Sequence, residues 1–474
     1  MARPLATEPD EAPPPAQAVP AASPGGMHVS YAPAEPAVRR WRSLYLSTGQ
    51  KFAVACLVAA AWVGLSAWIS LPWIGDLARH VTVVPAVVLV SLLAFVPGFL
   101  VAFLAAGALL DRQPTLVSAS PTAPLTVLIA ARNEAASICD TLRSLAAQDY
   151  AGDISVVLVD NGSTDETAVL ARDAASNAGM VLTVLHESTP GKSHALNTGL
   201  ATVRTPLVIT LDADTLLQRS AIRLLVARLE ASPPDVVAVA GDVMVRNSRN
   251  GLLARLQAWD YLLGIAAVKR IQGLFQGTLV AQGAFSLYRT DDVRAVEGWP
   301  DAIGEDIVLT WQLMRRGRIY YEPLAVAFTS APEPLRGLVR QRSRWARGML
   351  EGLRTVPPWR QRRAMARAMT SIDLVIPFLD VAYVFVWLPG LVLACFGYFW
   401  FVGPMTVAVL PMTMFVYGLL LHFQRRRVLE PLGLVHRRNA LAFVIFLVFY
   451  QALMSATSVY GYAQELFGRK RSWK

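Results

Sequence analysis

What most limits the fold of this chain is the placement of its apolar segments. A bilayer core needs about 20 apolar residues of helix. The segments 52–74, 81–110, 372–401, 405–423 and 441–462 all reach that length. The stretch between the second and third of them, 125–356, has no such run. Composition agrees: 54% of the 474 residues are hydrophobic and mean hydropathy is +0.40, above the range of soluble proteins. The chain therefore reads as a multi-pass protein with one soluble domain between a helix pair and a helix triplet.

Charge orients the scheme. Net charge is +10 with a pI near 9.7. In a membrane protein this excess faces anionic lipid, so membrane lipid is an expected partner and nucleic acid is not. Arg39, Arg40 and Arg42 precede the first segment, and Arg425, Arg426, Arg427, Arg437 and Arg438 separate the last two. The positive-inside rule then puts the soluble domain in the cytoplasm, on the inner face of the cell membrane. Five spans would leave Arg469-Lys470-Arg471 outside, against that rule; five are nonetheless expected. Residues 1–38, mostly Pro and Ala, cannot build a core and read as a disordered tail without a signal peptide. Residues 39–111 are the helix pair, 120–356 the soluble domain with an interfacial helix over 334–366, 372–462 the triplet and 463–474 a basic tail. Cys56, Cys139 and Cys395 are scattered and read as thiols without metal-ligand spacing.

Inside the soluble domain, short apolar runs alternate with helical patterns, which predicts βαβ units and a mostly parallel, Rossmann-like sheet. Runs at 125–131, 154–159, 181–185 and 208–211 each end in a polar cluster. Asn133 and Glu134 open a helical pattern after the first. Asp160 and Asn161 end the second, and Gly191-Lys192 starts a helix after the third. The fourth delivers Asp212 and Asp214, which share one face because strand residues alternate. Ligands of open α/β sheets bind at this edge. Two hard oxygen ligands suit Mg²⁺ or Mn²⁺ holding a diphosphate. Each feature also has an ordinary structural explanation. Asp-x-Asp can be an Asx turn, Asp160 a helix cap, Lys192 a solvated lysine, and Glu305-Asp306 an acidic first turn. Gln341, Arg344 and Trp345 fall at i, i+3 and i+4, on one helical face. A guanidinium beside an indole can grip a diphosphate and stack a sugar.

Asp160, Asp212-x-Asp214, Glu305-Asp306 and Gln341-x-x-Arg344-Trp345 occur in the order found in processive family-two membrane glycosyltransferases, which the chain resembles over about 125–353. Their relatives make cellulose, chitin and hyaluronan. Gly283-Ala284-Phe285, Trp311, Tyr321-Glu322-Pro323 and the 341–345 motif are most similar to poly-β-1,6-N-acetylglucosamine synthases. The resemblance implies a GT-A fold, a UDP-sugar donor, inversion, and a growing β-linked polysaccharide as acceptor. It implies Asp306 as catalytic base beside Glu305, and Asp214 as metal ligand with Asp212. Donor contacts would come from Ala130, Arg132, Glu134, Asp160, Asn161, Lys192, Asp212 and Arg344. Acceptor contacts would come from Gln341, Trp345 and Gly283. Many members carry a second Asp where this chain has Asn161, so the sharing of uracil contacts stays open. An accessory export protein is a further expected partner. Asp373 and Asp380, seven residues apart, are expected to line a polymer path or to sit solvated at the headgroups. Two rival readings are a non-processive transferase acting on a lipid or polyprenyl phosphate, and a transporter or receptor whose α/β domain only binds nucleotide.

Overall fold

A computed structural model describes residues 46–117, 119–402, 405–434 and 439–468. The expectations for the 1–38 tail, for Arg39, Arg40, Arg42, Arg437 and Arg438, and for Arg469-Lys470-Arg471 lie outside these residues.

Helix α1 is Thr48–Ile69. Its start is fixed by a capping box, in which Gln50 N–H donates to Ser47 Oγ and Ser47 N–H to Gln50 Oε1. The expected link with Asp76, Arg79 and His80 is instead helical, Leu71–Val81. Those polar residues fall at i, i+3 and i+4 and share a face, with Asp76 and Arg79 paired. Thr82, at φ 68°, ends it. Helix α2, Val83–Leu110, then returns the chain.

The sheet has eight strands: β1 (Leu125–Ala131), β2 (Ile154–Asp160), β3 (Leu182–His186), β4 (Leu207–Leu211), β5 (Leu216–Leu217), β6 (Val236–Val245), β7 (Phe285–Arg289) and β8 (Arg318–Thr329). Their order is β3-β2-β1-β4-β7-β6-β8-β5. The first four in that order are mutually parallel, and β6 is parallel to β8. β7 runs antiparallel between β4 and β6. Every residue of β4 is buried, as a strand covered on both faces requires. Ala131 pairs with Asp160, and Asp160 with His186. That register levels the strands' carboxyl ends, so Arg132, Asp160 and Asp212 reach one edge.

Three helices frame that edge: α3 (Lys192–Thr202), α4 (Glu305–Met314) and α5 (Leu335–Thr355). The single interfacial helix expected over 334–366 is broken. α5 ends before Pro357 and Pro358, which cannot continue a helix. The helical pattern expected from Asn133 starts only at Ile138; Asn133, at φ 57°, is in a turn.

Helices α6 (Ala364–Cys395), α7 (Met405–Gln424) and α8 (Ala440–Leu466) follow. α1, α2, α6 and α8 are long and apolar enough to cross a membrane. Two buried ion pairs tie the soluble domain together and to α2. Arg270 Nε lies 2.5 Å from Asp111 Oδ2, and Arg228 Nε lies 2.6 Å from Glu322 Oε2. Asp380 is buried, accepting from Ser455 Oγ at 2.7 Å and Tyr462 Oη at 2.8 Å. It clamps α6 to α8 and is not free to line a path.

Candidate active site

The site is assembled from strand ends. At the end of β1, Ala130, Arg132 and Glu134 face the edge, and the turn is held by Glu134 N–H donating to Thr167 Oγ1 at 2.8 Å. At the end of β2, Asp160 Oδ1 accepts from Ser163 N–H at 3.1 Å and its Oδ2 lies 3.5 Å from His186 Nδ1.

Asn161 differs from its expected role. It is buried, and its amide donates to the carbonyls of Glu187 (3.0 Å) and Thr189 (2.7 Å) while accepting from Gly191 N–H at 2.8 Å. With both amide hydrogens engaged, it staples the 187–191 loop and has no donor left for a base. That loop delivers Gly191, at φ 148°, directly to α3.

Lys192 consequently points into the strand edge. Its Nζ lies 2.6 Å from Asp212 Oδ1 and 3.7 Å from Glu305 Oε1. A Cβ on Gly283 would sit 2.7 Å from that Nζ, so a side chain there would displace the ammonium. Gly283 N–H donates to Asp306 Oδ2 at 3.2 Å and Ile307 N–H to Asp306 Oδ1 at 2.9 Å. The Asp306 carboxylate is thus oriented by two backbone donors at the start of α4. Gly304 and Gly348 let α4 and α5 touch: a Cβ on Gly304 would lie 2.6 Å from Gly348 Cα.

One cavity of about 820 Å³ runs between these parts. Ala130, Arg132, Glu134, Lys192, Asp212 and Asp214 line one wall, and Gln341 and Arg344 of α5 line the other. Asp160, Asn161, Gly283, Glu305, Asp306 and Trp345 are not on that lining. Gly283, Glu305 and Asp306 lie behind Lys192, and Trp345 lies on the flank of α5, its ring centroid 6.3 Å from that of Tyr261. Sequence reasoning did not single out Tyr460 and Gln464 of α8 or Arg336 and Arg340 of α5; all four line the cavity. A helix from the far end of the chain gives no local signal that it returns to the strand edge.

The electrostatics are those of crowded acids around one cation. Burial, then Asp212 and Glu134, push Asp214 up to about 6. Burial raises Glu305 to about 7, with Lys192 opposing and Asp306 adding to the rise. Burial disfavours the charge on Lys192, but Asp212, Glu305 and Asp306 outweigh it and hold the ammonium above the ordinary lysine range. Among the described residues no group of three or more His, Cys, Asp and Glu gathers as a closed metal cage. Two neighbouring carboxylates that repel each other instead suit a cation completed by substrate oxygens and water, the habit of Mg²⁺.

An open α/β sheet with a carboxylate pair at the end of β4 and an antiparallel strand beyond it is a GT-A-like glycosyltransferase fold. The solved mannosyltransferase of Pyrobaculum calidifontis, in complex with GDP-Man and Mn²⁺, shares it at a TM-score of 0.55 and 20% identity, over 81% of this chain and 98% of that one. Residues 121–348 match the family described as glycosyltransferase like family 2. Poly-β-1,6-N-acetyl-D-glucosamine synthase of Staphylococcus aureus is 34% identical over 241 residues, which are 50% of this chain and 57% of that protein. The Staphylococcus epidermidis protein of the same name is 32% identical over 226 residues, 47% and 54% respectively. The chain thus spans little more than half the length of the curated relatives it matches.

Proposed function

We propose that this protein is an inverting membrane glycosyltransferase that moves N-acetylglucosamine from its UDP conjugate to a growing β-linked polysaccharide. The observation that carries the reading is one cavity with the Asp212-x-Asp214 pair and Lys192 on one wall and Gln341 and Arg344 on the other. A sugar diphosphate needs that pairing of a cation-binding face with a guanidinium. The sugar is taken from the 34% identical synthases.

Asp214, with Asp212, would hold Mg²⁺ or Mn²⁺. Such an ion, when bound, offsets charge developing on the leaving diphosphate. Arg344 approaches the same phosphates from α5, and Lys192 links the carboxylate pair to Glu305. Asp306, oriented by the N–H groups of Gly283 and Ile307, takes the proton of the attacking acceptor hydroxyl. One displacement from the face opposite the diphosphate inverts the anomeric carbon. Trp345, outside the donor cavity, stacks the acceptor's terminal sugar, with Gln341 orienting that region. The soluble domain faces the cytoplasm, and the membrane helices carry the product outward, with an accessory export protein as partner. A non-processive transfer to a lipid phosphate uses the same donor wall and differs in product length.

The test is purified full-length protein in lipid nanodiscs with a panel of UDP-sugars, followed by UDP release and product sizing. UDP-N-acetylglucosamine should give polymer. Excess chelator should stop it, and Asp306→Asn should lose about 10²–10⁴ in rate while still binding donor. UDP release from no sugar in the panel would overturn the reading; short products on lipid would shift it to the non-processive form.

A further inference from the structure

The two residues between Gln341 and Arg344 carry no role in the proposed transfer, yet the first of them, Arg342, is buried and held from several sides. It is 8% exposed, although its charge would favour water. Its Nη2 lies 2.7 Å from Asp260 Oδ2. Tyr450 Oη of α8 closes a triangle, 3.4 Å from the same nitrogen and 3.3 Å from the same carboxylate oxygen. Its buried Nε has no hydrogen-bond partner, so the guanidinium is held at one end and presents its face.

That face covers Trp345. Arg342 Cζ lies 4.2 Å from the indole centroid and 5.7 Å from that of Tyr261. A desolvated guanidinium over an indole is among the stronger cation–π arrangements. The partner carboxylate is itself built in. Asp260 opens a π-helical turn, Asp260–Ala266, and a Cβ at Gly264 would come within 2.5 Å of its Oδ1. Gln424 of α7 donates to Leu262 O in that turn at 3.2 Å. The anchor therefore joins α5, the π turn and α8, and α7 braces the turn.

We propose that Arg342 is a positioning residue for the acceptor: clamped by Asp260 and Tyr450, it fixes the Trp345 indole from one face and leaves the other for the sugar. Substrate geometry is sensitive to such placement, since an ångström of misplacement in a reacting complex is costly. A buried ion pair contributes little net stability against an apolar substitute, so a purely structural role would be an expensive use of the position. The inference rests on the reading of Trp345 as the acceptor contact.

The experiment uses full-length protein in nanodiscs, a soluble β-linked N-acetylglucosamine oligomer as acceptor, and separate measurement of donor Kd and acceptor KM. Arg342→Met should raise acceptor KM on the order of tenfold and leave donor Kd within about twofold. Arg342→Lys should not rescue it, because a lysine keeps the charge facing Asp260 but lacks the plane. In a Trp345→Ala background Arg342→Met should add nothing, as a double-mutant cycle requires of two residues acting as one. Asp260→Asn, which keeps the shape, should reproduce the KM effect if Arg342→Met fails to fold. Rescue by lysine, additive losses in the cycle, or an equal loss of donor binding would each overturn the proposal and leave Arg342 a fold anchor. If Trp345→Ala itself leaves acceptor KM unchanged, the acceptor reading fails instead.

Discussion

At the residue scale, the donor wall depends on one buried amide, Asn161, which holds the loop that aims Lys192. Asp212, Asp214, Lys192, Gln341 and Arg344 meet in one cavity. Asn161 was misread because the sequence shows an amide next to Asp160 but not which carbonyls face it. Its three hydrogen bonds predict the outcome of Asn161→Asp. The carboxylate would lose both donors and oppose the carbonyls of Glu187 and Thr189 in a buried position. Burying the new charge at that position without donors costs about 1–3 kcal/mol or more. The thermal midpoint should fall, and donor KM should rise as the 187–191 loop shifts Lys192. The preference for uridine over other nucleoside diphosphates should stay as it was. A change in base preference, measured by competition with ADP, GDP and UDP, would return Asn161 to the base-binding role.

At the element scale, the parallel half of the sheet was readable because β1, β2 and β3 are each a compact apolar run followed by a helix, and β4 is a compact apolar run ending at Asp212. The antiparallel β7 was not, since strand direction is set by what pairs with it and not by its own five residues. The break between α5 and α6 was also in plain view at Pro357-Pro358, yet the basic residues on both sides suggested one continuous surface helix. The contact between α5 and α8 had no sequence signal beyond a lone glycine. A Cβ on Gly461 would lie 2.6 Å from Ser343 O and 2.9 Å from Ala346 Cβ. Backbone and a short methyl cannot swing aside, so Gly461→Val has to push α8 off α5. Overpacking of this kind costs about 1–3 kcal/mol. The loss should also appear in donor Kd, because Tyr460 beside it lines the cavity. Calorimetric binding of UDP to the variant checks this. A donor Kd and thermal midpoint both equal to wild type would mean that α8 does not shape the site.

At the scale of the whole molecule, five spans conflict with the positive-inside rule, and the packing of α8 bears on that conflict. Near its start, Phe443 packs against Trp259 with the rings tilted by 53° and their centroids 4.8 Å apart. Near its end, Glu465 pairs with Arg347 at 3.2 Å and Arg354 at 2.9 Å. Trp259 and both arginines belong to the soluble-domain side of the chain. A 27-residue helix is about 40 Å long, so one that stood across the bilayer would carry its ends to opposite faces. With both ends held against the soluble domain, we infer that α8 runs along the membrane surface although it is long enough to cross, its apolar residues covering the π turn and α6. In the same scheme the opposite face lies where Trp73 Nε1 donates to Trp400 O at 2.8 Å, joining the Leu71–Val81 helix to the segment after α6. Under that inference α1, α2, α6 and α7 would cross and both flanks of the soluble domain would lie on one side, as the positive-inside rule favours. Single cysteines in a background of Cys56, Cys139 and Cys395 replaced by serine test this with a membrane-impermeant maleimide. Thr82→Cys should label in intact cells. Leu441→Cys in the first turn of α8 and Phe467→Cys just past its end, both at exposed positions, should label only after permeabilisation. Labelling of Phe467→Cys from outside, with Leu441→Cys still protected, would make α8 a fifth span and leave the basic tail on the far side.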